Sequence, residues 1–112
     1  MKEILAIIRL VKLSETKKAL AEAGFPAFTC RKVLGRGKNP IDFGARSYEI
    51  TESNLLPKRA LTLIVNNNDV DKVVSVIMEA NHTGHSGDGK IFVIPIKESY
   101  QVSNGRGGAD AY

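Results

Sequence analysis

The sequence predicts an α+β fold, a four-stranded sheet with two helices on one face. Three observations carry this. Two short apolar, β-branched runs, Ile4 to Ile8 and Ala60 to Val65, each precede a segment with helical spacing. Each of those segments is followed by a further strand-like run, so the 112 residues divide into two strand–helix–strand halves. Between the halves, Gly35 to Pro57 has neither period and reads as a long loop.

The first strand extends from Ile4 to about Leu10. Ile4, Ala6 and Ile8 alternate with Leu5, Ile7 and Arg9, so both of its faces are largely apolar. Ser14 is the expected N-cap of the first helix, with Thr16, Ala19, Leu20 and Ala23 at helical spacing and Gly24 as the stop. The second strand covers Ala27 to Leu34, with Phe28 and Cys30 on one face and Thr29 and Arg31 on the other. Ala60 to Val65 is the third strand, and Asn66 to Asp69 is a turn that starts the next helix. Val70, Val73, Val74, Ile77 and Met78 then trace a core-facing helical stripe. The fourth strand runs from Ile91 to Ile96, and Pro95 near its end suits a position with a free amide side. This order is the ferredoxin-like βαββαβ pattern, with helices on one sheet face and the other face bare and apolar. A bare apolar face predicts closed association of several copies. The segment from Gln101 to Tyr112 lacks periodicity and is expected to be flexible or docked on a neighbour.

Composition bounds the function. The length suits one domain, residues 1–112, with 43% hydrophobic residues. A net charge of +4 favours anionic ligands without specifying nucleic acid, for which the first and third strands supply no aromatic platform. No run of about 18 apolar residues predicts a membrane span, and Met1 leads straight into a strand pattern, so a cytoplasmic protein is expected. The single cysteine, Cys30, fits a buried, inert thiol in a reducing compartment.

Two glycine-bearing basic segments carry the chemistry. Gly84 to Lys90 (Gly-His-Ser-Gly-Asp-Gly-Lys) combines three glycines, whose amides can converge on an anion, with a lysine. It nearly spells a Walker A motif, but Ile91 stands where Ser or Thr would hold magnesium. It also follows a helix and enters a strand, the reverse of a P-loop. It is a phosphate cradle of another kind, or a plain turn. Gly35 to Lys38 offers a similar mix beside the long loop, and association could bring it to another copy's glycine-rich turn. A loop rooted in a rigid sheet beside positive charge suits a sensor whose partner-binding element responds to an anion at its base. His82 and His85 fit helix capping or solvent exposure better than a metal site. Asp88 fits turn closure through its own side chain. No nucleophile, base and orienter triplet is apparent, so no enzyme is expected.

The first strand, the Val33 to Gly37 junction, the Leu56-Pro57-Lys58 return and above all Thr83-Gly84-His85-Ser86-Gly87-Asp88-Gly89-Lys90-Ile91-Phe92 resemble the PII nitrogen-signalling proteins over nearly the whole chain. The resemblance implies a trimer with ATP or ADP between subunits, 2-oxoglutarate bound with Mg2+ and ATP, and a target-binding T-loop, here residues 35–57. By that resemblance Thr29, Gly35, Gly37, Lys38, Thr62, Ile64, Gly87, Asp88, Gly89 and Lys90 bind nucleotide, with the Gly87 to Lys90 turn coming from the other subunit. Asn39, Lys58, Ser86 and Gly87 bind 2-oxoglutarate, Asn39 reaches Mg2+, and Ile41, Phe43, Arg46 and Tyr48 contact the partner. The chain departs from the family pattern at Lys38, Asn39, Thr62, Gln101 and Ser103. The last two replace arginines that usually meet phosphates, which implies weaker triphosphate binding. Thr51 stands at the modified tyrosine position, so uridylylation is not expected. Residues 39–49, together with Gly24 to Ala27 and Lys32 to Lys38, are similar to the nitrogen-fixation branch. There, two sister subunits form a mixed assembly that inhibits nitrogenase. The alternative targets are an ammonium transporter and glutamine synthetase.

Overall fold

The computed structural model describes residues 1–37 and 55–112. Strand β1 (Lys2–Arg9) passes through a 3-10 turn (Leu10–Lys12) into helix α1 (Leu13–Glu22). Strand β2 (Thr29–Gly35), strand β3 (Leu56–Val65), a second 3-10 turn (Asn67–Asp69), helix α2 (Val70–Asn81) and strand β4 (Gly89–Pro95) follow. The sheet is antiparallel in the order β2-β3-β1-β4, the ferredoxin-like arrangement that the sequence predicts.

β1 is a central strand because both its faces are apolar. Ile4, Ala6 and Ile8 are buried under the helices with Leu20, Leu61, Leu63, Val65, Val73 and Ile77. Leu5 and Ile7 lie half-buried on the opposite face, where Phe92 and Ile94 of β4 are also exposed. Pro95 is the last residue of β4, an edge strand, where a missing amide costs no ladder bond on the outer side.

Helix α1 ends as its sequence dictates. Gly24 has φ +95°, the Gly24 amide donates to the Ala21 carbonyl at 3.1 Å and the Phe25 amide to the Leu20 carbonyl at 2.8 Å. This is the Schellman pattern, and Phe25 packs against the core beside it.

Several boundaries differ from expectation. Ser14 is not the N-cap. The 3-10 turn runs directly into α1, Lys12 takes the cap position with no side-chain capping bond, and Ser14 lies exposed inside the helix. The loop is shorter than 35–57, because Gly35 pairs with Leu56 and Leu34 with Pro57. β3 therefore starts four residues before Ala60, and ladder bonds to β2 override the weak strand character of its basic, proline-bearing start. Pro57 is tolerated because β1 ends at Arg9, opposite Lys58, one residue short of it. β2 starts at Thr29 and β4 at Gly89, two residues after and two before the expected points.

The stripe on α2 is narrower than expected. Its buried positions are Val73, Ile77 and Asn81, and Met78 is 58% exposed, beyond the cover of the sheet. Residues 101–112, expected to be flexible or docked on a neighbour, turn back on themselves. The Gln101 amide donates to the Arg106 carbonyl at 2.6 Å, Tyr100 bridges Gly107, and the Tyr112 hydroxyl donates to Asn66 Oδ1 at 2.6 Å. Backbone pairing and this terminal anchor fix a segment whose side chains show no period.

Candidate functional site

The turn between α2 and β4 is built around Asp88. His82 caps α2 by donating its amide to the Met78 carbonyl at 2.8 Å, and its side chain is 77% exposed. The chain then wraps the Asp88 carboxylate. Oδ2 accepts from the Thr83 amide at 2.8 Å and the Gly84 amide at 3.0 Å, and Oδ1 accepts from the Thr83 hydroxyl. These bonds, the Thr83 hydroxyl and amide foremost, hold the Asp88 carboxyl well below the ordinary carboxylate range. Asp88 therefore closes the turn, as its place among glycines suggests.

Three glycines of this turn hold positive φ, Gly84 at +87°, Gly87 at +96° and Gly89 at +113°. A Cβ on Gly89 would lie 1.8 Å from the Ile7 carbonyl oxygen, because β4 enters the sheet against β1 at this residue.

Two cations tie this turn to the sheet. Arg9 donates to the Ser86 carbonyl at 2.9 Å and to Asp88 Oδ1 at 3.2 Å. Lys58, only 8% exposed, donates from Nζ to the Gly87 carbonyl at 2.6 Å. Burial lowers the Lys58 pKa from its ordinary 10.5, the neighbouring Arg9 charge lowers it further, and Asp88 opposes both.

The result is a cleft of about 570 Å³ on the open face of the sheet, at the root of residues 38–54. Gly35, Gly37, Lys58, Ser86, Gly87, Asp88, Gly89 and Lys90 all line it. Both glycine-bearing segments thus meet within one chain, whereas a contribution of the second from another copy was expected. Leu5, Ile7, Val33 and Phe92 supply apolar walls, and Arg31 and Arg36 add charge. Four cationic side chains and flexible glycine backbone suit a polyphosphate or dicarboxylate.

Thr29, Thr62 and Ile64 do not line this cleft. Thr29 and Thr62 are cross-strand partners farther along the same face, with Thr62 four residues beyond Lys58, about 13 Å along β3. Gln101 and Ser103 also lie outside it, bonded to each other at 3.1 Å. Lys38, Asn39, Ile41, Phe43, Arg46, Tyr48 and Thr51 fall outside the described residues. Among the described residues no group of three His, Cys, Asp or Glu side chains could hold a metal ion. Cys30 is half-buried against the core. The residue that sequence reasoning missed is Arg9. In the sequence it is only the one charge in the Ile4 to Arg9 alternation; that its strand end meets the glycine-rich turn follows from the β1–β4 pairing.

The family profile of "Nitrogen regulatory protein P-II" matches residues 1–106. The chain is 44% identical to the "Nitrogen fixation nifHD region glnB-like protein 2" of Methanococcus maripaludis, over 99% of both chains. It is 40% identical to the protein of that name from Methanothermobacter marburgensis, again over 99% of both. The "GlnB-like protein 1" of the same nifHD region in that organism is 45% identical over 91% of this chain and 93% of its own. With the sheet order, the wrapped Asp88 turn and the Lys58 cleft in place, these matches show that the chain belongs to the P-II nitrogen regulatory protein family.

Proposed function

We propose that this chain is a non-enzymatic sensor that binds ATP or ADP with 2-oxoglutarate and, according to their levels, binds and inhibits nitrogenase. The observation that carries the reading is Lys58. Its ammonium is nearly buried at the wall of a glycine-lined cleft, bonded to the Gly87 carbonyl and, among the described residues, to no carboxylate. A dicarboxylate reaching Lys58 replaces a neutral acceptor by a charged one and relieves the desolvation of the ammonium. The phosphates of the nucleotide then lie against Gly35, Gly37 and the amides of Gly87 to Lys90. Mg2+ enters with the nucleotide, and Asn39 is the residue of this chain assigned to it by position in the family pattern.

Thr29, Thr62 and Ile64 contribute from a neighbouring copy, since they are remote from the cleft of their own chain. This favours a trimer, or a mixed assembly with a sister subunit, and the exposed Phe92 and Ile94 of the open face suit such an interface. Residues 38–54, with Ile41, Phe43, Arg46 and Tyr48, contact the target. The ligand shifts them only by its differential affinity for their two states. The nifHD-region names of the relatives favour nitrogenase over an ammonium transporter or glutamine synthetase. The chain works in the cytoplasm, and among the described residues no helix is long and apolar enough to cross a membrane.

Calorimetric titration of the assembled protein, with and without a sister subunit, tests the ligands. ATP or ADP binds alone, and 2-oxoglutarate binds with Mg2+ and ATP. Indifference to millimolar adenylates in both preparations rejects the reading. Binding to purified nitrogenase, lost in Phe43→Ala/Tyr48→Ala, tests the target.

A further inference from the structure

On the opposite side of the β2–β3 pair, Lys32 and Arg59 face each other as direct cross-strand partners. Like charges in this position repel. Neither side chain forms an ion pair or hydrogen bond among the described residues, and Arg59 Nε is buried without an acceptor. The two cations line a groove of about 330 Å³ with Leu10, Leu34 and Pro57. Leu10 is 40% exposed and Leu34 66% exposed. Val33, Leu34 and Lys58 line both this groove and the ligand cleft, so the strand pair is a wall common to the two.

We propose that this groove docks an acidic, apolar segment of a protein partner, as a second contact besides residues 38–54. The repulsion between Lys32 and Arg59 is relieved by a carboxylate, which the guanidinium fork of Arg59 grips in two-point fashion. Leu10, Leu34 and Pro57 receive an adjacent aliphatic side chain. Charge therefore selects the partner: a segment with Asp or Glu next to Leu, Ile or Val fits, and a basic one is repelled. The proposal uses the regulatory reading only in taking the occupant to be a protein.

The probe is a fluorescein-labelled nonapeptide of alternating Glu and Leu, followed by anisotropy with the full-length protein. Saturable binding is expected. It weakens at least tenfold in Lys32→Glu/Arg59→Glu and at least threefold in Leu34→Ser. It is unchanged in Lys17→Glu/Lys18→Glu, which removes the same charge from the exposed face of α1. Equal loss in both charge variants marks non-specific attraction and overturns the proposal, as does absence of binding to the wild type. Native mass spectrometry is the second readout. If Lys32→Glu/Arg59→Glu dissociates the assembly, the groove is a contact between copies and the proposal falls. The milder Lys32→Gln/Arg59→Gln repeats the peptide measurement should the reversed pair fail to fold. ATP titration of the Lys32 and Arg59 variants, which lie outside the ligand cleft, is expected to match wild type, so failure of the groove and failure of the sensor reading are told apart.

Discussion

Arg9 and Lys58 are directly opposed across the β1–β3 ladder, and both side chains reach the same turn, Arg9 at Ser86 and Asp88, Lys58 at Gly87. Two like charges at this spacing repel. The Ser86 and Gly87 carbonyls and the Asp88 carboxylate offset that repulsion, so the turn is the counter-charge of the strand pair. This makes Lys58, the proposed 2-oxoglutarate contact, a desolvated cation facing a like charge. Lys58→Met is expected to abolish the response to 2-oxoglutarate in calorimetry while leaving the unfolding free energy within about 1 kcal/mol of wild type, because an apolar isostere avoids the desolvation. Its pH dependence has a definite sign. The folded pKa lies below 10.5, so between the two values the unfolded chain holds more protons and stability rises with pH. Denaturant titrations from pH 8 to 10.5 should show this rise in wild type and less of it in Lys58→Met.

Asp88 carries a dependence of the same sign at acid pH. Its folded carboxyl titrates below the ordinary 3.8, so its stabilisation is fully present above that value and fades as pH falls through the folded one. Asp88→Asn keeps the shape but cannot accept from Thr83, Gly84 and Arg9 together with a full charge. The variant is expected to melt below wild type at pH 7, with the gap closing below about pH 4. ATP affinity should fall about tenfold as the turn loosens. A gap independent of pH contradicts the assignment.

The turn's glycines differ in what they tolerate. Gly89→Ala places a methyl against the Ile7 carbonyl at a φ of +113°, and neither strand can retreat without breaking the ladder. A cost of about 3 kcal/mol or more is expected. At Gly84 the space is open, with only His82 Nε2 at 4.0 Å, so Gly84→Ala should cost about 1 kcal/mol, the price of positive φ alone. Chemical denaturation of both variants decides whether close approach or backbone freedom governs this segment.

The sheet was legible because its signals are local. β1 shows two apolar faces, α2 shows the helical period, and Gly24 marks the end of α1. Boundaries were less legible, since pairing decides them: Leu56 and Pro57 join β3 only because Gly35 and Leu34 lie opposite. In the site, the glycine-rich turn and Lys58 could be read from motif and resemblance. Arg9 could not, because its role depends on β1 and β4 being neighbours, a contact across 79 positions. Asn81 was missed for a related reason. A polar residue at the end of an apolar stripe reads as the helix leaving the core, whereas here it is 5% exposed.

That buried Asn81 fastens the two helices. Its Nδ2 donates to Thr16 Oγ1 at 3.0 Å and to the Ile77 carbonyl at 2.8 Å, and Thr16 in turn donates to the Lys12 carbonyl at 2.7 Å. Asn81 Oδ1 has no partner among the described residues, so the bridge is only partly satisfied. Asn81→Ala removes two hydrogen bonds and leaves a void, and should cost about 2–3 kcal/mol. Thr16→Val forfeits one donor and leaves Nδ2 short of an acceptor, at about 1–2 kcal/mol. Thr16→Val/Asn81→Leu removes both polar partners and fills the space with apolar atoms. Because the unpaired acceptor disappears as well, the double variant should be less destabilised than the sum of Thr16→Val and Asn81→Leu singly. A thermodynamic cycle from denaturant titrations measures that coupling. Strict additivity would mean that the Thr16–Asn81 bond adds nothing to the packing of α1 on α2.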